Sequence, residues 1–353
     1  MHVAVRAVST TAPQGWNERT VSAPGGNVMQ GTCWAEQRVA QGGTAVFVEF
    51  SDGRAALFTT RPARPVGTFA AARKGPIHAG DPGDHVAARA AALARVARDH
   101  GASELFVDPE LDRSDVYERD MQHSGFRVTD EAQPSIHVMR LELPAGGTVD
   151  ELLATFAKST RQRIHTAQQA GVEVSVDPLG ARLPEFAELL GTRSEDLGVQ
   201  LRPEFGSLPF SERLLKAGQA RLYLADHHGT LLGGLLVYLQ GGTASTTYSA
   251  DRADRRREFP GVMHLLRWRL LRDCLEAGMR SVDLGGVDLP GHRMPPSSAT
   301  EPTWGLYEHK RSFGAVWVER EPARRIVLRP SVDRLNRAAR RLRSVGRGSE
   351  AAA

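Results

Sequence analysis

Three strand-like segments in close succession, followed by one amphipathic helix, constrain the fold of this chain more than any other feature. The strands are 220–226, the long apolar run 231–240 and 243–249, and the helix covers 261–277 before Gly278. Connections this short join antiparallel neighbours, so the strands should form a meander. A helix that stops at a glycine then follows it. The sequence therefore predicts a domain of strand–strand–loop–helix order.

The first half of the chain has a similar plan. Strand patterns at 44–50 and 55–60 flank a Ser-Asp-Gly turn, helical spacing covers 84–100, and a strand at 136–142 precedes a Gly-rich joint. A length of 353 residues suits about two domains. We therefore predict an α/β fold of the mixed α+β type. The predicted parts are a domain in 1–145, a second domain in 146–328, and a basic tail in 329–353 that is helical and then disordered.

Composition excludes several classes of protein. No stretch reaches the roughly 20 apolar residues that span a membrane, and the N-terminus has no signal-peptide pattern. Cys33 and Cys274 match no disulfide or zinc framework, and the histidines do not fall at metal-ligand spacings. We therefore expect a cytoplasmic protein without a metal. The common hydrolase, phosphate-loop and dinucleotide motifs are also absent.

The basic residues are concentrated at the C-terminal end. Residues 324–347 hold nine Arg and one Asp, a net charge of +8 in a chain whose total is +4. Such a tail could lay an arginine face on RNA phosphates, and a solvated basic helix is the alternative. The residues that we expect to contact tRNA there are Arg337, Arg340 and Arg341.

Four segments carry a resemblance to a known family. Gln30, Trp34 and Arg38 form a Q-x-x-x-W-x-x-x-[KR] opening, and Lys158 begins a K-x-x-R-x-x-I-x-x-A-x-x-x-G-V helix. Asp283-Leu-Gly-Gly286 ends a strand, and 305–314 reads G-L-Y-x-H-K-x-x-F-G. Taken together and in this order over about 28–320, they resemble the FemABX family of aminoacyl-tRNA-dependent peptidyltransferases.

The resemblance implies two tandem GNAT-like acyltransferase domains, without the coiled-coil insertion that some members carry in the second domain. It implies transfer of an amino acid from a charged tRNA to an amine of a peptide-bearing acceptor. The acceptor would be a peptidoglycan precursor or a peptide or nucleoside antibiotic. Aminoacyl-tRNA would be a co-substrate, so no cofactor and no DNA partner is expected.

Site residues follow from the same resemblance. Lys310 matches the lysine near the acyl-transfer centre, where an ammonium would stabilise the oxyanion, and a solvated helix-face lysine is the alternative. Asp108, before Pro109, matches an acid that holds or deprotonates the amine, although a turn-capping role is equally plausible on pattern alone. His309 stands where many members have Phe. The expected acceptor-binding residues are Arg38, Lys74, Arg202 and Tyr248.

Residues 158–170 supply a second basic strip. Lys158, Arg161 and Arg163 are expected to face the tRNA backbone, in addition to the tail.

Two rival functions remain open. The turn before helix 261–277 has the place of the GNAT loop that cradles coenzyme A, but Pro260 removes a backbone donor there, which disfavours coenzyme A. An acyl-CoA-dependent N-acyltransferase is therefore the first alternative. A non-catalytic RNA-binding protein on the same scaffold is the second.

Overall fold

A computed structural model describes residues 3–63, 66–129, 135–196 and 208–336. The chain forms two compact units. The first lies within Met1–Ala132 and Arg320–Ala353, and the second lies within Gln133–Glu319.

The chain up to residue 129 alternates strands and helices. Its strands are β1 (Val5–Ser9), β2 (Thr44–Phe50), β3 (Ala55–Pro62), β4 (Thr68–Lys74), β5 (Glu104–Pro109) and β6 (Arg127–Val128). Its helices are α1 (Thr32–Ala40), α2 (Gly83–Asp99) and α3 (Asp115–His123), with short helical turns at Glu18–Ser22 and Val28–Gln30.

The remainder follows the predicted order. Its strands are β7 (Val138–Glu142), β8 (Glu173–Asp177), β9 (Ala220–His227), β10 (Thr230–Gln240), β11 (Thr243–Asp251), β12 (Ser281–Asp283), β13 (Val316–Val318) and β14 (Arg324–Val327). Its helices are α4 (Val149–Thr155), α5 (Lys158–Gln169), α6 (Leu183–Asp196), α7 (Leu208–Lys216), α8 (Val262–Glu276) and α9 (Trp304–Arg311), with a helical turn at Ala253–Arg255. The predicted mixed α/β class is confirmed by this pattern.

Each unit contains one seven-stranded sheet. Two strands, β7 and β14, belong to a different sheet from the one that their positions in the sequence suggest. The first sheet has the order β1-β2-β3-β4-β5-β14-β6, and the second has the order β13-β7-β12-β11-β10-β9-β8. β7 thus lies in the second unit although we expected it to close the domain 1–145. β14 lies in the first unit although it falls within 146–328. Periodicity identifies a strand but not the strand with which it pairs, so these boundaries differ from the expected ones.

A helix on each face covers the middle of the second sheet. Gly234 of β10 lies against Phe186 of α6, whose ring would be 2.7 Å from an added Cβ. The adjacent Gly233 lies against Val262 and Leu266 of α8. Successive residues of a strand point to opposite faces, so α6 and α8 cover opposite faces of β10. This explains why 231–240 is a continuous apolar run instead of an alternating one.

In the first unit, a buried amide holds the N-terminal segment to the sheet. The Gln30 side chain donates to the carbonyl oxygens of Leu57 and Arg73 at 3.1 and 2.6 Å, and accepts from the Leu57 N–H at 2.8 Å. The backbone carbonyl of Gln30 accepts from the Trp16 indole at 2.7 Å. Gln30 of the Q-x-x-x-W opening therefore has a structural role that links β3 and β4.

We expect Gln30→Leu to destabilise the first unit by about 2–4 kcal/mol, because it leaves buried backbone groups of Leu57 and Arg73 without partners. Urea unfolding followed by circular dichroism measures the change in the free energy of unfolding. The matched control is Gln122→Leu, which alters an exposed glutamine of α3. Equal stability of the two variants would contradict the role assigned to Gln30.

Candidate active site

In the second sheet, β11 extends beyond the end of its neighbour β12. β11 and β12 pair in parallel through three residues, from Thr243 opposite Ser281 to Ser245 opposite Asp283. β11 continues to Asp251, whereas β12 ends at Asp283 and the chain turns through Leu284 and two glycines. The edge of β11 beyond residue 245 therefore lacks β12 as a partner.

Lys310 of α9 is bonded to the end of β12. Its Nζ donates to the carbonyl oxygens of Gly285 at 2.9 Å and Gly286 at 2.8 Å, and the residue is 3% exposed. An ammonium has three donors, so one N–H remains beyond these two bonds. Burial and, secondarily, the Arg267 cation lower the Lys310 pKa to about 7. Lys310 therefore changes protonation state near neutral pH, as an acyl-transfer site can use.

The glycines after Asp283 are required by close contacts. Gly285 has a φ of +80°, which favours glycine, and an added Cβ would lie 3.4 Å from the Lys310 Nζ. A Cβ on Gly286 would lie 2.5 Å from the His137 carbonyl oxygen. The Asp283 carboxylate accepts from the Gly285 N–H at 2.6 Å and fixes the turn. The D-L-G-G sequence thus presents two carbonyl oxygens to Lys310.

A cavity of about 870 Å³ lies in the same unit. The end of β11, the start of α8 and the start of α9 form its walls. The basic residues of its wall are Arg163, Arg252, Arg255, Arg256, His264, Arg267 and His309. Lys310 is not itself part of this wall, but its charge interacts with those of Arg267 and His309, which are. A cavity of this size can hold a nucleoside with an attached acyl group.

Gly261 packs tightly at the N-terminus of α8. It caps the helix with a φ of +94°, and an added Cβ would lie 2.2 Å from the Arg163 carbonyl oxygen of α5. The residue before it, Pro260, has no N–H to offer a pyrophosphate at this helix start.

Arg267, His309 and His264 form a hydrogen-bonded chain in the cavity wall. Arg267 Nε donates to His309 Nε2 at 2.9 Å, and His309 Nδ1 lies 3.2 Å from His264 Nε2. Burial, with the cations of Arg163 and Arg267, lowers the His264 pKa to about 4. Burial followed by Arg267 also lowers the His309 pKa well below its ordinary value. Both imidazoles are therefore neutral at pH 7.

Three of the more exposed arginines of this wall are paired with carboxylates. Arg255 pairs with Glu258 at 2.7 Å, Arg256 pairs with Asp251 at 2.6 Å, and Arg252 pairs with Asp254 at 3.0 Å. These pairs neutralise much of the positive charge of this part of the wall.

The other predicted residues of the second unit fall in two places. Lys158, Arg161 and Arg163 are exposed on α5, as a strip that meets RNA requires, and Arg163 also lines the cavity. Tyr248 lies on β11 outside the lining of this cavity, and burial raises the pKa of its hydroxyl.

In the first unit, Asp108 is part of an ion pair. Its carboxylate lies 3.0 Å from Arg73 Nη2 and accepts from the Lys74 N–H at 2.8 Å, and it is 6% exposed. Both oxygens are engaged, which suits a positioning role better than proton abstraction. Lys74 has a φ of +58°, and its Nζ lies 3.8 Å from Glu110. Burial opposes ionisation of Glu110, but the cations of Lys74 and Arg320 hold its pKa below the ordinary value.

Arg38 is half-buried on α1. Its guanidinium lies over the Trp34 ring at 5.6 Å and donates to Gln41 at 2.6 Å. The W-x-x-x-R spacing thus places the aromatic ring beneath the cation.

Four expected residues lie outside the described part of the chain. They are Arg202, Arg337, Arg340 and Arg341. The arginine-rich region also begins differently from expectation. Arg324, the first of its nine arginines, is a buried residue of β14 that pairs with Glu321 at 3.4 Å.

Among the described residues, no cluster of three potential ligands could hold a metal ion. Within the same ranges, no helix has the length and apolarity needed to cross a membrane. The chain of Arg267, His264 and His309 was missed by the motif search. Its signal was the i, i+3 spacing of His264 and Arg267, which places both on one face of α8.

Comparisons with known proteins agree with this geometry. The family model of the acetyltransferase (GNAT) domain matches residues 150–311. The crystal structure of FemX is similar with a TM-score of 0.76 at 18% identity, covering 93% of this chain and 99% of FemX. A conserved protein of unknown function from Bacteroides thetaiotaomicron has a TM-score of 0.55 at 11% identity, with coverage of 92% and 98%. A search of curated proteins returns no match.

These findings confirm the predicted tandem GNAT-like fold and the resemblance to FemABX proteins. The GNAT match covers the cavity, Lys310 and the strand end that holds it. Residues 150–311 thus match an acetyltransferase (GNAT) domain, and the two tandem units have the fold of FemX.

Proposed function

We propose that this acyltransferase uses aminoacyl-tRNA as its donor and forms an amide bond with an amine of a peptide-bearing acceptor. The acceptor is a peptidoglycan precursor or a peptide or nucleoside antibiotic. The observation that carries the proposal is the buried Lys310, bonded to the carbonyls of Gly285 and Gly286 beside a cavity of about 870 Å³.

Lys310 can supply the electrostatic part of catalysis. When an amine attacks the ester, negative charge develops on the carbonyl oxygen. The third N–H of the Lys310 ammonium is the donor for that oxygen. The ester is already activated, so positioning and exclusion of water provide the rest.

The start of α8 favours a donor other than coenzyme A. Pro260 removes a backbone N–H just before Gly261, where a pyrophosphate would need donors. An RNA backbone instead needs a basic surface that follows its phosphates, and exposed α5 offers Lys158, Arg161 and Arg163. The cavity would then receive the 3′ aminoacyl end.

The first unit offers the residues for the acceptor. Arg38, held over Trp34, suits bidentate contact with a phosphate or carboxylate of that molecule. Asp108 holds the backbone of Lys74, which places its ammonium beside Glu110. We assign Asp108 a positioning role in this scheme. Arg202, Tyr248, Arg337, Arg340 and Arg341 keep their proposed roles in binding acceptor and tRNA.

An acyl-CoA donor is the second candidate, because the GNAT acetyltransferase model matches the unit that holds Lys310. The two donors are separated by one assay. Purified protein is incubated with tRNA, synthetases, ATP, labelled amino acids and a panel of wall-precursor and nucleoside peptides. Label on an acceptor that is lost after RNase treatment establishes the proposed donor. Transfer from acyl-CoA alone refutes it, and binding of uncharged RNA without any transfer favours a binding protein.

We expect Lys310→Met to lower the single-turnover rate by about 100- to 1,000-fold, because it removes one preorganised donor to the oxyanion. The affinity for tRNA should change less than about twofold, since Lys310 is buried away from the RNA backbone. The matched control is Lys216→Met, which alters an exposed lysine of α7. Equal losses of rate and affinity in Lys310→Met would contradict the catalytic assignment.

The activity of Lys310 should also depend on pH. Its pKa is lowered to about 7, so the ammonium is half-populated near that pH, nearly complete about one unit below it and largely lost about one unit above it. We expect the ratio of wild-type to Lys310→Arg rates to fall above pH 7, because arginine keeps its proton throughout. Ionisation of the acceptor amine affects the two rates equally, so its effect cancels in this ratio. A ratio that rises with pH would indicate a neutral lysine acting as a base.

The α5 strip should contribute to RNA affinity through its charge. Replacing Lys158, Arg161 and Arg163 by Gln should reduce the slope of log affinity against log salt by about 2. The control replaces Arg95, Arg98 and Arg119, which are exposed in the first unit. Filter binding at several salt concentrations measures both slopes, and identical slopes would remove α5 from the RNA surface.

A further inference from the structure

Arg267 is a buried arginine without a carboxylate partner among the described residues. Four arginines are buried in that part of the chain, and Arg267 is 2% exposed. The other three pair with carboxylates: Arg73 with Asp108, Arg89 with Asp52 and Asp81, and Arg324 with Glu321. Arg267 Nη1 is buried and has no hydrogen-bond partner. A buried cation without compensation is costly, so a counter-charge is to be expected from a ligand.

The hydrogen bonds of Arg267 fix the protons of its two neighbours. A guanidinium cannot accept, so Arg267 Nε–H donates and His309 Nε2 accepts. A neutral His309 then carries its proton on Nδ1 and donates it to His264 Nε2. A neutral His264 in turn carries its proton on Nδ1. The chain therefore ends in an N–H donor on a residue of the cavity wall.

Two groups of this wall can donate to a ligand. Arg267 has an Nη1 without a partner, and His264 provides Nδ1–H. Burial lowers the pKa of Arg267 to about 10, which leaves it charged at pH 7. Three more exposed cations of the wall, Arg252, Arg255 and Arg256, are paired with carboxylates, whereas Arg163 is an exposed cation on α5. Arg267 is therefore the buried cation of the wall that an entering anion would meet without a carboxylate partner.

We infer that Arg267 and His264 bind an anionic oxygen group, a carboxylate or a phosphate, of the ligand that occupies the cavity of the second unit. The identity of that ligand rests on the proposed function. The group is then either the side-chain carboxylate of the transferred amino acid or a phosphate near the 3′ end of the RNA. His309 is a positioning residue, because it orients His264 and holds Arg267.

The test uses stable amides of 3′-amino-3′-deoxyadenosine with the full-length protein. The aspartyl and asparaginyl amides differ in one side-chain charge, so tighter binding of the aspartyl amide indicates a site for a carboxylate. Tighter binding of the asparaginyl amide with a 5′-phosphate than without it indicates a site for a phosphate. Inorganic pyrophosphate is an anion that does not depend on the proposed donor. Calorimetry gives the dissociation constant of each probe for the wild type and for Arg267→Met.

We expect one charged probe to bind at least tenfold more tightly than its neutral counterpart, and Arg267→Met to abolish this difference. Arg269→Met is the matched control, because Arg269 lies on the same helix, pairs with Asp273 and is outside the cavity wall. Arg267→Lys keeps the charge and should restore part of the affinity difference between the charged and neutral probes. If Arg267→Met does not fold, Arg267→Lys takes its place in the comparison with the wild type.

The outcomes separate this inference from the proposed function. Adenosine probes that bind equally with and without the charge, in wild type and variant alike, would overturn the anion site and leave the donor class intact. Pyrophosphate binding that requires Arg267, without binding of any adenosine probe, would support the site and refute the donor. If a charged probe still binds Arg267→Met more tightly than its neutral counterpart does, the assignment of Arg267 to the anion site is also overturned.

A second measurement does not depend on any ligand. Nitrogen-15 chemical shifts at pH 7 should show both His264 and His309 as neutral Nδ1–H tautomers, with assignments from His264→Gln and His309→Gln. Arg267→Met should release His309 from this tautomer, since it removes the donor to Nε2. An Nε2–H tautomer of His309 in the wild type would contradict the donor chain.

Discussion

The two bonds from the Lys310 ammonium to the carbonyls of Gly285 and Gly286 are the contact on which the rest of the site depends. They join α9 to the end of β12 and hold a titratable cation 3% exposed at the opening of the sheet. The two glycines permit this approach, and the Asp283 carboxylate fixes their turn. α9 also carries His309, so the same anchor sets the position of the histidine–arginine chain in the cavity wall. α9 thus carries both the Lys310 cation and His309, and His309 contacts the donors that α8 supplies.

Much of this arrangement could be predicted from the sequence, because the relevant signals are local. The apolar run 231–240 and the helix before Gly278 match β10 and α8 closely, since burial on both faces and glycine termination leave clear patterns. The motif around Lys310 and the D-L-G-G motif are two of the local signals, and the structure joins them through the bonds from Lys310 to Gly285 and Gly286. The small β4, with three alanines, was missed because alanine favours helices and the strand is held by its neighbours.

The features that could not be predicted depend on contacts distant in sequence. Arg267 pairs with His309 across 42 positions, and nothing in the sequence distinguishes a buried arginine from an exposed one on an amphipathic helix. The pattern at Asp108 allows an acid of the acceptor cleft or a turn cap, and it does not reveal that Arg73 neutralises the carboxylate because residues of the parallel β4 and β5 lie side by side. The charge count groups all the arginines of 324–347 into one basic region. Arg324 and Arg325 instead belong to a strand, where glutamates of the first unit balance their charge.

The place of β14 has a consequence for how the chain acquires its structure. β14 lies between β5 and β6, so β6 joins the first sheet through a strand that is nearly 200 residues further along. The second sheet likewise depends on β7, which precedes its helices. During synthesis the first sheet therefore keeps a vacant position between β5 and β6 until residues 324–327 have left the ribosome. A cut at the glycine-rich joint 145–148 would yield two fragments that each lack a strand, so neither unit corresponds to one continuous piece of sequence.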